Sequence, residues 1–347
     1  MRAAVMRAKQ IVVDEIPDPI PAAGQVLVRT LACGICGSDL HALKHGEEMV
    51  ALGDEGAGLL PEEMRPETMD LSRDVVMGHE FCAEVIELGE NTGNCAVGDT
   101  VVSMPMAFGP TGIHPIGYSN ILPGGYGELM VLSDMMCLKV PNGLSSDHAA
   151  LTEPMAVGLH AVNKSTITQR DAAVVLGCGP VGLAVIAALK LKGVETIIAA
   201  DFSPRRRALA ATMGAHEVVD PRDEPAMEAW RRVDGTKAVH IYEAVGVPGM
   251  IEAAMKDAPR SAQLLVVGVC MELDSFRPFR GIVKELTVRF ALGYDPMEFG
   301  GTLQSIAEGQ IDVVPLITSR VDIDGVPQAF DDLATPDDHC KILVTPS

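Results

Sequence analysis

From residue 1 to about residue 150, apolar positions come in short runs: "QVLVRTLA" (25–32), "AEVIEL" (83–88) and "DTVVSM" (99–104), divided by Gly and Pro turn signals. Such punctuation predicts many short strands in an all-β unit. From about Asp171 the texture changes. The runs "AAVVLG" (172–177), "TIIAAD" (196–201), "AVHIYEA" (238–244), "QLLVVGV" (263–269) and "LTVRFAL" (286–292) alternate with Ala-rich, helix-forming segments, and a weaker "HEVVD" (216–220) falls between the second and third. Continuously apolar strands separated by helices predict a parallel sheet covered on both faces. Beyond residue 292 the alternation is lost, and the chain closes on "CKILVTP", a strand-like tail suited to pair back with the first unit. The expected division is a β-rich catalytic domain over 1–152 and 293–347 and a doubly wound domain over 153–292.

Residues 46–74, "GEEMVALGDEGAGLLPEEMRPETMDLSRD", break the β rhythm with nine carboxylates and two Pro. This composition reads as a long acidic loop with room for a short helix, of the kind that borders a cleft or a subunit contact. Two domains are what a chain of 347 residues calls for, and 48% hydrophobic content is enough to pack both. A net charge of -20 repels phosphate backbones and anionic lipid, so nucleic acid is not an expected partner. The N-terminus lacks an uninterrupted apolar run, and no charge-free stretch of ~18 apolar residues stands anywhere, which disfavours secretion and membrane spanning and makes the cytoplasm the expected location. Eight scattered Cys fit reduced thiols, most of them small buried hydrophobes, better than a disulfide framework.

In "VVLGCGPVGLAVIAALKLKG" the spacing Gly177-x-Gly179-x-x-Gly182 follows a predicted strand and opens a predicted helix. The first glycine permits a tight turn, the second lets the backbone approach a pyrophosphate, and the third lets helix and strand pack closely. The helix N-terminus, from Pro180 onward, offers free N–H groups and partial positive charge to the phosphates. Asp201 lies nineteen residues beyond Gly182 at the end of the next strand, where a carboxylate accepts from an adenosine ribose diol and repels a 2′-phosphate. The order of strand, glycines, helix, strand and acid predicts a nicotinamide dinucleotide, NAD rather than NADP. An Arg among Arg205 to Arg207 suits either cofactor.

A dinucleotide domain in the second half makes the first half the substrate side. There "CGICGSDLH" (33–41) puts two thiols, a carboxylate and an imidazole within nine residues, and "VMGHEF" follows about forty residues later. Read on its own, this is a metal site with proton-transfer equipment or a polar loop that happens to contain Cys. The Cys36 thiolate and a neutral His79 imidazole are donors that Zn²⁺ favours, and catalytic zinc sites gather ligands from separate loops.

Over essentially its whole length the chain resembles the zinc-containing branch of the medium-chain dehydrogenase/reductase superfamily. The matching stretches, in order, are "GICGSDLH" (34–41), "GHEFCAEVIELG" (78–89), "VGDTV" (97–101), "GGYGEL" (124–129), "EPMAVGLHAV" (153–162), "VLGCGPVGL" (175–183) and "GVPGMIEAA" (246–254). The resemblance implies a GroES-like catalytic domain joined to a Rossmann NAD-binding domain, and an enzyme that moves hydride between a secondary alcohol, diol or polyol and NAD. It implies Cys36, His79 and Glu153 as zinc ligands, with Glu80 approaching the metal when the fourth ligand leaves. Ser38 would hand the substrate proton onward through the cofactor ribose, His41 would pass it to solvent, and Asp39 would hold the His79 ring. Val181, Val267 and Val269 would line the nicotinamide, and Arg206 would meet the adenosine ribose. The expected partner is a small alcohol or ketone, and the expected assembly a homodimer or homotetramer.

Many members of the family carry a second, structural zinc on four closely spaced Cys between the "GDTV" and "GGYGEL" segments. The interval here, "VSMPMAFGPTGIHPIGYSNILP", has no Cys, so one catalytic zinc and no structural zinc is expected. Plainer roles compete at several positions: packing for Cys33 and His160, and for Lys341 either a solvated side chain or a contact to the pyrophosphate. The rival functions are a zinc-free enone or quinone reductase of the same fold and a non-catalytic dinucleotide-binding protein, against which an intact Ser38 and His41 relay argues.

Overall fold

The computed structural model describes residues 1–109, 112–334 and 339–346, so small parts of the interval before "GGYGEL" and of the C-terminal stretch lie outside the described residues. Two units divide the chain: Met1–Glu153 with Ile306–Glu308 and Ile317–Ser347, and Pro154–Ser305 with Gly309–Leu316.

In the first unit the apolar run at 25–32 becomes the strand Gln25–Gly34, antiparallel to Glu80–Leu88. The seven-stranded sheet around this pair runs Ile317–Val321, Lys341–Val344, Gln25–Gly34, Glu80–Leu88, Thr100–Ser103, Cys137–Lys139, with Leu129–Ser133 also on Gln25–Gly34. The C-terminal tail does pair back, Leu343 against Gly34 and Val344 against Cys33. Burial of these strands drives this arrangement: Val26, Val28, Phe81, Val85, Val101 and Val131 are sealed from solvent, each contributing about 1.5–3 kcal/mol.

The stretch 46–74 holds more helix than its acidity predicts. Gly46–Gly58 forms thirteen residues of α-helix, with Glu47 and Glu48 in the first turn, where acids complement the free N–H groups. A 3₁₀ turn covers Glu62–Met64. Met69 is buried and Met49 and Val50 pack on the core, whereas Leu52, Leu59, Leu60 and Met64 stay exposed.

The second unit contains a six-stranded parallel sheet in the spatial order Glu217–Val219, Thr196–Ala200, Ala172–Leu176, Val239–Glu243, Gln263–Val266, Thr287–Phe290. Numbered along the chain this is 3-2-1-4-5-6, and ligands of such sheets bind beyond the C-terminal strand ends, where the order reverses. The boundary expected at 293 falls later. Helix Pro296–Ala307 belongs mainly to this unit because Glu298 bonds His160 and Asn163 (2.6 and 2.9 Å) and Phe299 and Leu303 are buried. That interaction also accounts for His160 as a packed histidine. Among the described residues no helix is long and apolar enough to cross a membrane.

Candidate active site

Beyond Gly34 the chain enters helix Gly37–Lys44 with Cys36, in extended conformation, as its N-cap. Asp39, at the third helical position, turns back so that Oδ2 accepts from Cys36 N–H at 3.1 Å. Helix capping thus fixes the backbone that carries the thiol. On the neighbouring strand the register sets Glu80 opposite Gly34, and a Cβ at Gly34 would overlap Glu80 Oε2. Glycine is required there by close approach. The strand pair therefore gathers residues far apart in sequence: Cys36, His79 and Glu80 each place a donor atom within 4.8 Å of the others.

The surroundings are buried and charged. Asp39 is sealed, with Tyr126 OH donating to Oδ2 at 2.6 Å and Tyr118 OH 2.9 Å from Oδ1. His79 Nδ1 faces the same Oδ1 at 3.4 Å, an ion-pair distance without a formed hydrogen bond. Burial opposes charge on both partners. The His79 charge, with the hydrogen bonds from Tyr126 and Cys36, outweighs burial and lowers the Asp39 pKa, while Asp39 and then Cys36 hold His79 well above the usual imidazole value. Ser38 Oγ lies 3.5 Å from His79 Nε2. His41, half-buried one helical turn on, has its pKa lowered by burial and then by His45 and Lys44.

Lys341 is not the solvated side chain that was one of its two expected roles. It is buried and donates to Glu80 Oε1 and Oε2 at 2.6 and 2.7 Å and to Ile35 O at 3.1 Å. Burial alone would lower its pKa, but Glu80, ahead of Cys36, raises it instead. Glu153, expected as the third ligand, is buried at the start of helix Thr152–Lys164 and is not part of the three-donor cluster, in which Glu80 stands instead. Cys33 packs in the core, its thiol pushed up by burial, as its plainer reading requires.

In the second unit the glycine loop leaves strand Ala172–Leu176 at Gly177, whose φ of 90° suits glycine. Gly179 caps helix Pro180–Leu191, with Pro180 in its first turn. A Cβ on Gly182 would overlap Gly177 O, whereas one on Gly179 would meet nothing within 4 Å. The loop is therefore packed tight at its base and open at its tip. Asp201, just past strand Thr196–Ala200, accepts from Cys178 N–H and Ser203 N–H, both at 2.8 Å. Arg206 Nη1 is 4.0 Å from Asp201 Oδ2, and its Nε is buried without a hydrogen-bond partner. Arg207 is bound to the Asp201 and Phe202 carbonyls and to Asp220. Val181 opens the helix half-buried, while Val267, buried, and Val269, exposed, follow strand Gln263–Val266. The predicted cofactor residues thus collect at C-terminal strand ends.

Two residues of the first-unit cluster, Tyr118 and Tyr126, carry no assigned role in the sequence, and the pairing of Lys341 with Glu80 is not among the roles the sequence offers for it; all three take part through tertiary contacts. Tyr126 falls in the recognisable "GGYGEL", but Tyr118 sits in "GYSNILP", where no motif marks it.

Residues 22–142 match the alcohol dehydrogenase GroES-like domain, and residues 180–308 match the zinc-binding dehydrogenase family. The chain is 33% identical to (R,R)-butanediol dehydrogenase of Bacillus subtilis (strain 168), over 98% of its own length and 97% of that protein's. It is 26% identical to sorbitol dehydrogenase of the same organism, covering 100% of this chain and 98% of the other. The crystal structure of 2R,3R-butanediol dehydrogenase from Bacillus subtilis matches it with a TM-score of 0.83 at 30% identity, over 100% of this chain and 99% of that one.

Proposed function

The chain belongs to the zinc-containing alcohol and polyol dehydrogenases of the medium-chain dehydrogenase/reductase superfamily, and we propose that it moves a hydride between a secondary alcohol and NAD, with a vicinal diol as the preferred substrate. The observation that carries this reading is the convergence of Cys36, His79 and Glu80 beside Asp39 and Ser38. Similarity to a butanediol dehydrogenase supports the diol.

The residues present fit both groups that the family uses. The Cys36 thiol and the His79 imidazole, their donor atoms within 4.8 Å of each other, are donors of the kind zinc takes, and a carboxylate suits the third position. The open space at Gly179, ahead of a helix N-terminus, admits a pyrophosphate. When bound, zinc supplies a Lewis acid that lowers the pKa of an alcohol, and the nicotinamide supplies a hydride acceptor.

Cys36 and His79 would hold the metal, with a carboxylate as third donor. Glu153 fills that role in this reading, because both Glu80 oxygens are held by Lys341. Glu80 stands by as the carboxylate that Lys341 restrains. Asp39 orients the His79 ring. Ser38 accepts the hydroxyl proton of the substrate at Oγ, and His41, kept neutral by burial, carries it toward solvent. Asp201 and Arg206 would meet the adenosine ribose, the acid favouring NAD. One zinc per chain is proposed, no second set of closely spaced Cys being present in the sequence. Exposed Phe279, Ile282, Phe290 and Leu292 support a homodimer or homotetramer, which light scattering measures directly.

The test is NAD⁺ reduction against a panel of diols, polyols, simple alcohols and 3-hydroxy amino acids, with elemental analysis of the same sample. Turnover of diols by protein holding one zinc per chain is the expected result. Enone reduction by metal-free protein, without alcohol oxidation, would overturn it.

A further inference from the structure

Tyr118 reaches the cluster from the loop that follows the hairpin Met106–Gly109 and Gly112–Pro115. Its backbone is pinned on both sides: Tyr118 N–H bonds Pro115 O at 3.0 Å, Ser119 Oγ donates to Glu67 Oε2 at 2.7 Å, and Asn120 Nδ2 donates to Asp70 O at 3.0 Å. The ring lies against His79, with centroids 5.4 Å apart, and the hydroxyl stands 2.9 Å from Ser38 Oγ and 2.9 Å from Asp39 Oδ1.

A phenol has one proton for these two neighbours. Asp39 is otherwise met by donors: Cys36 N–H and Tyr126 O–H on Oδ2, and the His79 Nδ1 edge 3.4 Å from Oδ1. A carboxyl group ringed by donors is an acceptor, and a hydrogen bond to an anion is stronger than one to a neutral hydroxyl, so the Tyr118 proton goes to Asp39. Ser38 then meets a lone pair on Tyr118 and must supply the proton of that contact itself.

We propose that Tyr118 is a positioning residue for proton transfer: the chain Ser38 O–H to Tyr118 O–H to Asp39 turns the Ser38 proton inward and leaves the Ser38 lone pairs free to accept the hydroxyl proton of the substrate. This rests on the reading of Ser38 as the proton acceptor. Without the Tyr118 hydroxyl the Ser38 proton loses this acceptor, and His79 Nε2, 3.5 Å away, is committed to the metal in the zinc-loaded enzyme, so the hydroxyl would settle in a different orientation. No bond forms or breaks at Tyr118. As the substrate proton arrives on Ser38, the Ser38 hydroxyl rotates to pass its own proton toward His41 and solvent, while Tyr118 keeps its proton, hydrogen-bonded to the Asp39 carboxylate.

The test compares Tyr118→Phe, Ser38→Ala and the double variant as zinc-loaded enzymes, with zinc content and NADH binding by fluorescence measured on each. Tyr118→Phe keeps the ring and removes only the hydroxyl. The expected result is a kcat lower by roughly tenfold to a hundredfold with KM little changed, a larger solvent deuterium isotope effect, and zinc and NADH binding as in the parent. In the Ser38→Ala background the same substitution should change kcat by less than about twofold, because the group it orients is gone. An undiminished loss in that background, loss of zinc, or a parental kcat in Tyr118→Phe would each overturn the proposal. A parental kcat in Ser38→Ala would instead remove the proton-acceptor reading on which it stands.

Discussion

The donor cluster of the first unit and the glycine loop of the second are built in opposite ways. The cluster is made of side chains: Cys36, His79, Glu80 and Lys341 come from three places in the sequence and meet because strands Gln25–Gly34, Glu80–Leu88 and Lys341–Val344 lie in one sheet. The loop is made of backbone, its working feature being side chains that are missing at Gly177, Gly179 and Gly182 over six consecutive residues. A side-chain site fails when an atom is deleted, and a backbone site fails when one is added. The first is held by charge compensation in a buried setting, the second by packing.

The sharpest way to break this comparison is to exchange the two kinds of damage. Cys36→Ala is expected to abolish both zinc binding and activity while NADH binding is retained. Gly182→Val should do the reverse, since its side chain would collide with Gly177 O, the base of the loop. Elemental analysis and nucleotide fluorescence on both variants give four readings. Loss of zinc in Gly182→Val, or of NADH binding in Cys36→Ala, would show that the sites are not separable.

Charge compensation in the first unit predicts the next largest effect. The Lys341 and Glu80 side chains are 3% and 0% exposed. Lys341→Met leaves a buried carboxylate unpaired, a loss of about 3–5 kcal/mol that thermal melting would register as a large fall in Tm. Lys341→Met with Glu80→Gln should recover much of it. The third metal donor is tested on the same set: Glu153→Ala should lose zinc and Glu80→Gln should keep it, and the opposite pattern would move the ligand role to Glu80.

Legibility in the sequence follows the same division. The loop was readable throughout, because strand, glycines, helix and Asp201 are consecutive and each has a local reason to be where it is. Cys36 and His79 were readable as donors, because a zinc site needs rare residue types. The compensation around them was not. Lys341 is separated from Glu80 by 261 residues, and its burial depends on the tail pairing with Gln25–Gly34, so nothing local separates it from a solvated Lys. Tyr118 was invisible for a related reason: the hairpin and the pinned loop that carry it have no periodic apolar signature. The helix at 46–58 is longer than its composition predicts, because acids suit a solvated loop as well as a helix, and only their place at its start, Glu47 and Glu48 in the first turn, favours the helix.

Asp201 is where the backbone site borrows a side chain, and a smaller effect is expected there. Its carboxylate holds the N–H groups of Cys178 and Ser203. Asp201→Gly removes both bonds and the repulsion of a 2′-phosphate, with Arg205 and Arg206 close by in sequence. NAD⁺ should bind roughly tenfold less well and NADP⁺ better, read as kcat/KM for each cofactor. An unchanged ratio of the two would place the ribose elsewhere.

The mildest probe uses the thiols. Cys36 and Cys270 are partly exposed, and the other six Cys are buried. Burial pushes Cys82 and Cys178 up to about 12, and Cys95 up to about 11. A thiol alkylates as its thiolate, so at neutral pH these three should stay unmodified in the folded protein while Cys36 and Cys270 react. Zinc should then protect Cys36 alone, and NADH should not substitute for it, because the nucleotide contacts in this reading are to the loop and not to the thiol. Mass spectrometry of peptides after brief iodoacetamide treatment, with and without each ligand, measures this without turnover. Protection of Cys36 by neither ligand would remove it from the metal site and leave "CGICGSDLH" as the polar loop that its sequence also allows.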